Sequence, residues 1–186
     1  ITGNFTAGIG SRYEYLKYSP EIETFPRVYG KINFLTGFVD LHFNNLNSPS
    51  YPNSGNIIDF EAGVNYNQHP DFKYDDGNSA TPQSSPLFSK KAYYSIKYYS
   101  AHYLPIHKHS LFFKLHSGVH FGNKQPFLND FIVGGNDLVI RNQILFPGFR
   151  TNSIFSSSVI APQVGLHYSV TKKLVVTATS SFLKYD

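Results

Sequence analysis

Eight histidines and no cysteine frame the chemistry open to this 186-residue chain. His116 and His120 share one face of an alternating stretch. Four residues of extended chain hold their Cα atoms roughly 13 Å apart, too far to share one ion. His102, His107 and His109 straddle a short turn, and His107-Lys108-His109 reads as solvated. The absence of cysteine removes disulfide frameworks and thiolate metal sites, so no metal site is expected. Nucleophilic catalysis fares no better, since no Gly-x-Ser-x-Gly elbow occurs. Asp76-Gly77 has the form of the acidic half of a Ser/Asp dyad, but lies among Pro, Asn and Ser and reads as a turn. Phosphate-cradling glycine loops and His-Glu-x-x-His are also missing. No catalytic residue and no cofactor are expected.

The remaining charged candidates are Arg12, Glu14, Asp59, Glu61, Lys114 and His116, and each falls on the polar side of a period-two pattern, the signature of a strand. Residues 4–18 set Phe5, Ala7, Ile9, Tyr13 and Tyr15 against Asn4, Thr6, Gly8, Gly10, Arg12 and Glu14. Residues 57–66 set Ile58, Phe60, Ala62, Val64 and Tyr66 against Asp59, Glu61, Gly63 and Asn65. The pattern recurs over 110–121, 158–170 and 173–186, with a Tyr-rich strand near 91–104. Residues 28–43 change parity between Phe34 and Val39, which predicts a bulge or break near Thr36-Gly37. About seven strands result, an odd number. Closed bacterial barrels use even numbers, so either a strand is hidden near that break or the chain is part of a larger barrel.

Seventeen Phe and fourteen Tyr sit in a chain with mean hydropathy of only −0.26 and 15% charged residues. No run approaches the roughly 20 apolar residues of a spanning helix. A membrane β-barrel hides its apolar residues at every second position and gathers aromatic rings at the two interfaces. A soluble sandwich or lipocalin-like barrel also alternates, but its exterior is charged. Here the polar face is rich in Gly, Asn, Ser, Thr and His, and the strands exceed the usual soluble length of roughly 5 to 6 residues. Loops 67–89 and 122–155 are long, whereas 104–109 and 171–173 are short, which places the long loops outside the cell. The link 44–54 is then a periplasmic connection. The lumen-facing charges would hydrate a channel or hold a loop, because a charge facing lipid costs about 2 to 4 kcal/mol near the midplane. No domain boundary divides residues 1–186, and the chain reads as a mature or excised piece. Net charge is +4, with 16 Lys and Arg scattered along the chain; no basic stripe interleaved with aromatics predicts a nucleic-acid partner.

Two stretches carry a resemblance. Tyr51-Pro52-Asn53-Ser54-Gly55-Asn56, with Pro52 and Gly55 leading into a strand, is similar to the Pro-x-x-Gly turn of the bacterial surface antigen superfamily. That superfamily includes outer-membrane assembly factors and two-partner secretion transporters. Phe131-Ile132-Val133-Gly134-Gly135 is similar to the start of its infolded loop, and Pro147-Gly148-Phe149-Arg150 to the tip. The superfamily's tip order is Arg-Gly-aromatic, whereas here Pro147 precedes Gly148 and Arg150 follows Phe149, so Arg150 or Arg141 would supply the loop's contact with an acidic barrel residue. Such divergent tips resemble those of barrels that follow a patatin-like phospholipase domain. The resemblance implies an all-β, antiparallel transmembrane barrel of sixteen strands with loop 122–155 folded into the lumen, in the bacterial outer membrane. It implies outer-membrane lipid and lipopolysaccharide as surroundings, and an attached or partner periplasmic domain that the barrel anchors or translocates. An assembly or secretion factor, and a small closed eight-stranded barrel serving as anchor or adhesin, are the alternatives.

Overall fold

Each alternating stretch becomes a strand, and the strands pair in chain order. The computed structural model describes residues 3–18, 28–74, 90–124, 129–135, 141–150, 153–171 and 174–186. Asp76-Gly77 and the remainder of the 75–89 loop lie outside the described residues. The strands are β1 (Asn4–Tyr18), β2 (Val28–Asn44), β3 (Gly55–Tyr74), β4 (Tyr93–Ile106), β5 (His109–Gly122), β6 (Phe131–Val133), β7 (Gln143–Ile144), β8 (Ile154–Ser156), β9 (Ser158–Ser169), β10 (Val175–Ser181) and β11 (Lys184–Tyr185). The main sheet is an antiparallel meander ordered β1-β2-β3-β4-β5-β9-β10, with β11 also on β9. β10 and β11 keep one register against β9, Val175 opposite Ser169 and Tyr185 opposite Val159. They are a single strand line, interrupted at Phe182-Leu183. Among the described residues the sheet is open, with β1 and β10 at its edges.

The parity change expected in β2 lies instead in β3. β1 and β2 pair without interruption through Thr36 and Gly37, whereas the β2–β3 register shifts by one between Asn33/His69 and Leu35/Tyr66. Asn67 and Gln68 therefore share one opposite position, and Asn67 takes a left-handed φ of 54°. This is a β-bulge, and Asn is among the residues that tolerate that conformation. Beyond it the inward side of β3 switches from odd to even residues, with Asn65, Gln68 and Phe72 all buried. Ile32 and Phe34, 0% and 2% exposed, lie on the polar face beside Thr36 rather than on the opposite one. The strand also runs further than expected, since residues 67–74 are β3 and not loop. Pro70 lies in this extension, past Asn65, where among the described residues the pairing of β3 with β4 stops, and such an edge is where a strand accepts proline.

The two faces of the sheet differ in kind. Cross-strand rows on one face read Phe5, Phe43, Ile58, then Ala7, Leu41, Phe60, then Ile9, Val39, Ala62. Phe5, Ala7, Ile9, Val39 and Leu41 are exposed, Ile9 at 86%, and Phe43, Ile58, Phe60 and Ala62 are half-buried. The other face carries the charged and small polar residues, and is covered by two segments of the same chain.

Candidate functional site

The upper cover is the loop between β5 and β9. β6 pairs parallel with β7 and antiparallel with β8, a small sheet laid on the polar face of the large one. Its core joins Phe131, Val133, Ile144 and Phe146 to Val159 and Ala161 of β9. The Phe131 ring stacks on His120 at 4.2 Å between centroids. Gly118 lies beneath it, and a Cβ there would stand 2.5 Å from the ring. Gly134 has a φ of +125°, and a Cβ would meet the Arg150 carbonyl at 2.1 Å, so only glycine fits. The next residue, Gly135, donates its N–H to the Phe149 carbonyl at 3.0 Å. Phe149 meets Phe146 edge-on at 5.3 Å while remaining 44% exposed.

A charge cluster ties this loop to the wall. Glu61 of β3 accepts from Arg12 Nη2 at 2.8 Å and Nη1 at 3.1 Å, and pairs with Lys97 Nζ at 3.1 Å. Arg141 of the loop also donates to Glu61. Arg12 Nε donates to Glu14 at 2.6 Å. The Glu61 side chain is only 14% exposed. Arg12 and Arg141 both approach the Phe38 ring, at 4.2 and 5.8 Å. Behind them Thr36 Oγ1 donates to Asn65 Oδ1 at 2.7 Å, and Asn65 Nδ2 to Ser95 Oγ at 3.2 Å, so a polar network crosses three strands, β2 to β4. Arg150, the other candidate for the wall contact, has an exposed side chain. Among the described residues its carbonyl, not its guanidinium, is engaged, accepting from Ser153 Oγ at 2.6 Å.

All six expected lumen-facing residues share the loop-bearing face. Arg12, Glu14 and Glu61 join the cluster. His116 accepts from the Leu145 N–H at 3.3 Å and meets Tyr99 edge-on. Asp59 pairs with His42, and both line a cavity of about 810 Å³ between wall and loop, with Lys97, His116 and Arg141. Lys114 stands apart, its ammonium 4.8 Å from the Phe112 centroid. Lys97 was not among the expected residues, because the Tyr-rich stretch around it hides which side is polar.

The lower cover, the 45–54 link, is absent from the sequence-based expectation as a lumen element. Leu46 packs beside Ala101, Tyr103 and Phe112 on the polar face. Pro52 is buried, its carbonyl accepting from Ser110 Oγ of β5 at 3.2 Å, and Tyr51 reaches the His167 ring of β9 at 6.5 Å. Asn47 Oδ1 accepts from the N–H groups of Asn53 and Ser54, and Asn45 Oδ1 from Asn56. Gly55 closes the link with a φ of +106°, where a Cβ would meet the Asn45 carbonyl at 2.4 Å.

Long antiparallel strands that are bare and apolar on one face, and polar and covered on the other by an infolded loop, define the class of outer-membrane β-barrel proteins. A family model described as the OMP85 superfamily matches residues 1–186, and the chain belongs to that superfamily. No curated protein and no solved structure matches it. Membership agrees with the superfamily expected from the loop and the Pro52/Gly55 turn. It carries with it an outer-membrane β-barrel location.

Proposed function

We propose that this chain is a segment of a larger outer-membrane barrel that anchors or translocates an attached or partner protein, with loop 122–155 bracing the lumen. The observation that carries this reading is the Arg141–Glu61 pair, which joins the loop to β3 across the cavity. A guanidinium on an enclosed carboxylate makes a strong, directional tie, and Lys97 and Arg12 hold that carboxylate in place. The test is single-channel recording of the full-length protein in planar bilayers. Arg141→Ala is expected to raise open-state occupancy and to expose the loop to protease. Unchanged conductance together with unchanged protease resistance would remove the bracing role.

The attached protein is proposed to be a patatin-like phospholipase domain on the periplasmic side. Support comes from the departure of Pro147-Gly148-Phe149-Arg150 from the Arg-Gly-aromatic order. The intact mass of the native protein, and a Gly-x-Ser-x-Gly motif upstream of these residues, test that assignment. The second reading, an assembly or secretion factor, is favoured by the same Arg141–Glu61 pair, which supplies a loop arginine on an acidic barrel residue. Soluble periplasmic repeats upstream in place of a lipase would select it.

A further inference from the structure

Three of the lysines that look scattered along the chain, Lys17, Lys31 and Lys73, are gathered by strand register onto the outer face. Row by row toward the extracellular end, that face reads Tyr13, Leu35, Tyr66, then Tyr15, Asn33, His69, then Lys17, Lys31, Asp71. Lys73 follows opposite Tyr29. From Phe5 to Tyr15 is about 33 Å of strand, or about 25 Å of height at the usual tilt, the thickness of a barrel's apolar band. The Tyr rows then occupy the interface, and the lysine row stands one step beyond it, where lipid headgroups lie.

Lys17 and Lys31 are direct cross-strand partners on one face, an arrangement that is unfavourable unless an anion intervenes. Among the described residues Asp71 is the carboxylate paired with this group, 3.3 Å from Lys31 Nζ, so three lysines and one acid leave a surplus of two positive charges. All three lysines are exposed. Resting on the outer-membrane reading above, we infer that Lys17, Lys31 and Lys73 form a binding site for the phosphate groups of an outer-leaflet lipid. The shared outward face fixes the approach from the membrane plane, and the Tyr rows below receive the acyl-chain end of the headgroup.

The full-length protein, folded in phosphatidylcholine bicelles, is titrated with diphosphorylated lipid A and the bound lipid counted by native mass spectrometry. Replacing Lys17, Lys31 and Lys73 together by Gln is expected to weaken binding about a hundredfold at low salt, roughly fivefold per lysine. Replacing the three by Arg retains binding, and Lys108→Gln at the opposite end of the strands leaves it unchanged. Equal lipid A binding by the Gln variant overturns the site. Displacement of bound lipid A by an equal concentration of inorganic phosphate overturns the lipid as its ligand. Failure of the unaltered protein to insert into phosphatidylcholine bicelles would instead overturn the barrel reading, which separates the two.

Discussion

The two covers of the polar face are built on different physics. The 122–155 loop crosses the face with large apolar side chains and fixes its position by a charge pair, whereas the 45–54 link crosses with Leu46, Tyr51, Pro52 and a frame of asparagine amides. The loop must hold a long excursion against its own chain entropy, and burial of Phe131, Val133 and Ile144 supplies the driving force. The link is short, and its ends are already fixed by adjacent paired strands. Hydrogen bonds, each worth little net, suffice there. A cover far from its anchors needs a core, and one near its anchors needs only geometry.

Removing the loop's largest apolar anchor is the strongest way to test that difference. Phe131→Ala deletes a fully buried ring that stacks on His120 and lies over Gly118. A loss of about 3 to 5 kcal/mol is expected, seen as a lower urea midpoint for the folded barrel and faster protease cleavage of the loop. If the loop stays resistant, the charge cluster alone holds it. The corresponding change in the link is Asn47→Ala, which removes the acceptor for two N–H groups and the 2.5 Å contact to Asn53. Its expected cost is about 1 kcal/mol, with the loop's protease pattern unchanged. A shift as large as that of Phe131→Ala would mean that the link, too, is a core element.

Which parts were legible follows from the same contrast. The seven long strands could be read because one face meets lipid, and every second side chain along β1, β3, β5 and β9 reports it. The loop could be read because Gly134 and the Phe131 run are demanded by close packing. Ile32 and Phe34 look outward-facing by type, which points to β2 as the site of the bulge. Their burial goes with the parity switch of β3, which sets Pro70 opposite Ile32 and Phe72 opposite Gly30 and which no local pattern in β2 contains. The link's role was illegible, since asparagines that bond backbone resemble asparagines in any turn, and Ser110 and His167 are more than fifty residues away in sequence. Lys97 was obscured by flanking tyrosines on both faces.

The smallest expected effect decides between the two loop arginines. Loss of the Arg150 side chain would loosen the loop if that residue supplied the wall contact, as the motif position implies. Its guanidinium is exposed, and the neighbouring contacts that matter run through its backbone: the carbonyl bonds Ser153 and crowds Gly134. Alanine keeps that carbonyl, so Arg150→Ala is expected to change stability by less than about 0.5 kcal/mol, as for other surface substitutions, with protease resistance intact. Glycine at the same position alters the backbone directly and would reveal any dependence on local chain stiffness. A loosened loop in Arg150→Ala, with Arg141→Ala behaving as the unaltered protein, would transfer the brace from the body of the loop to its tip.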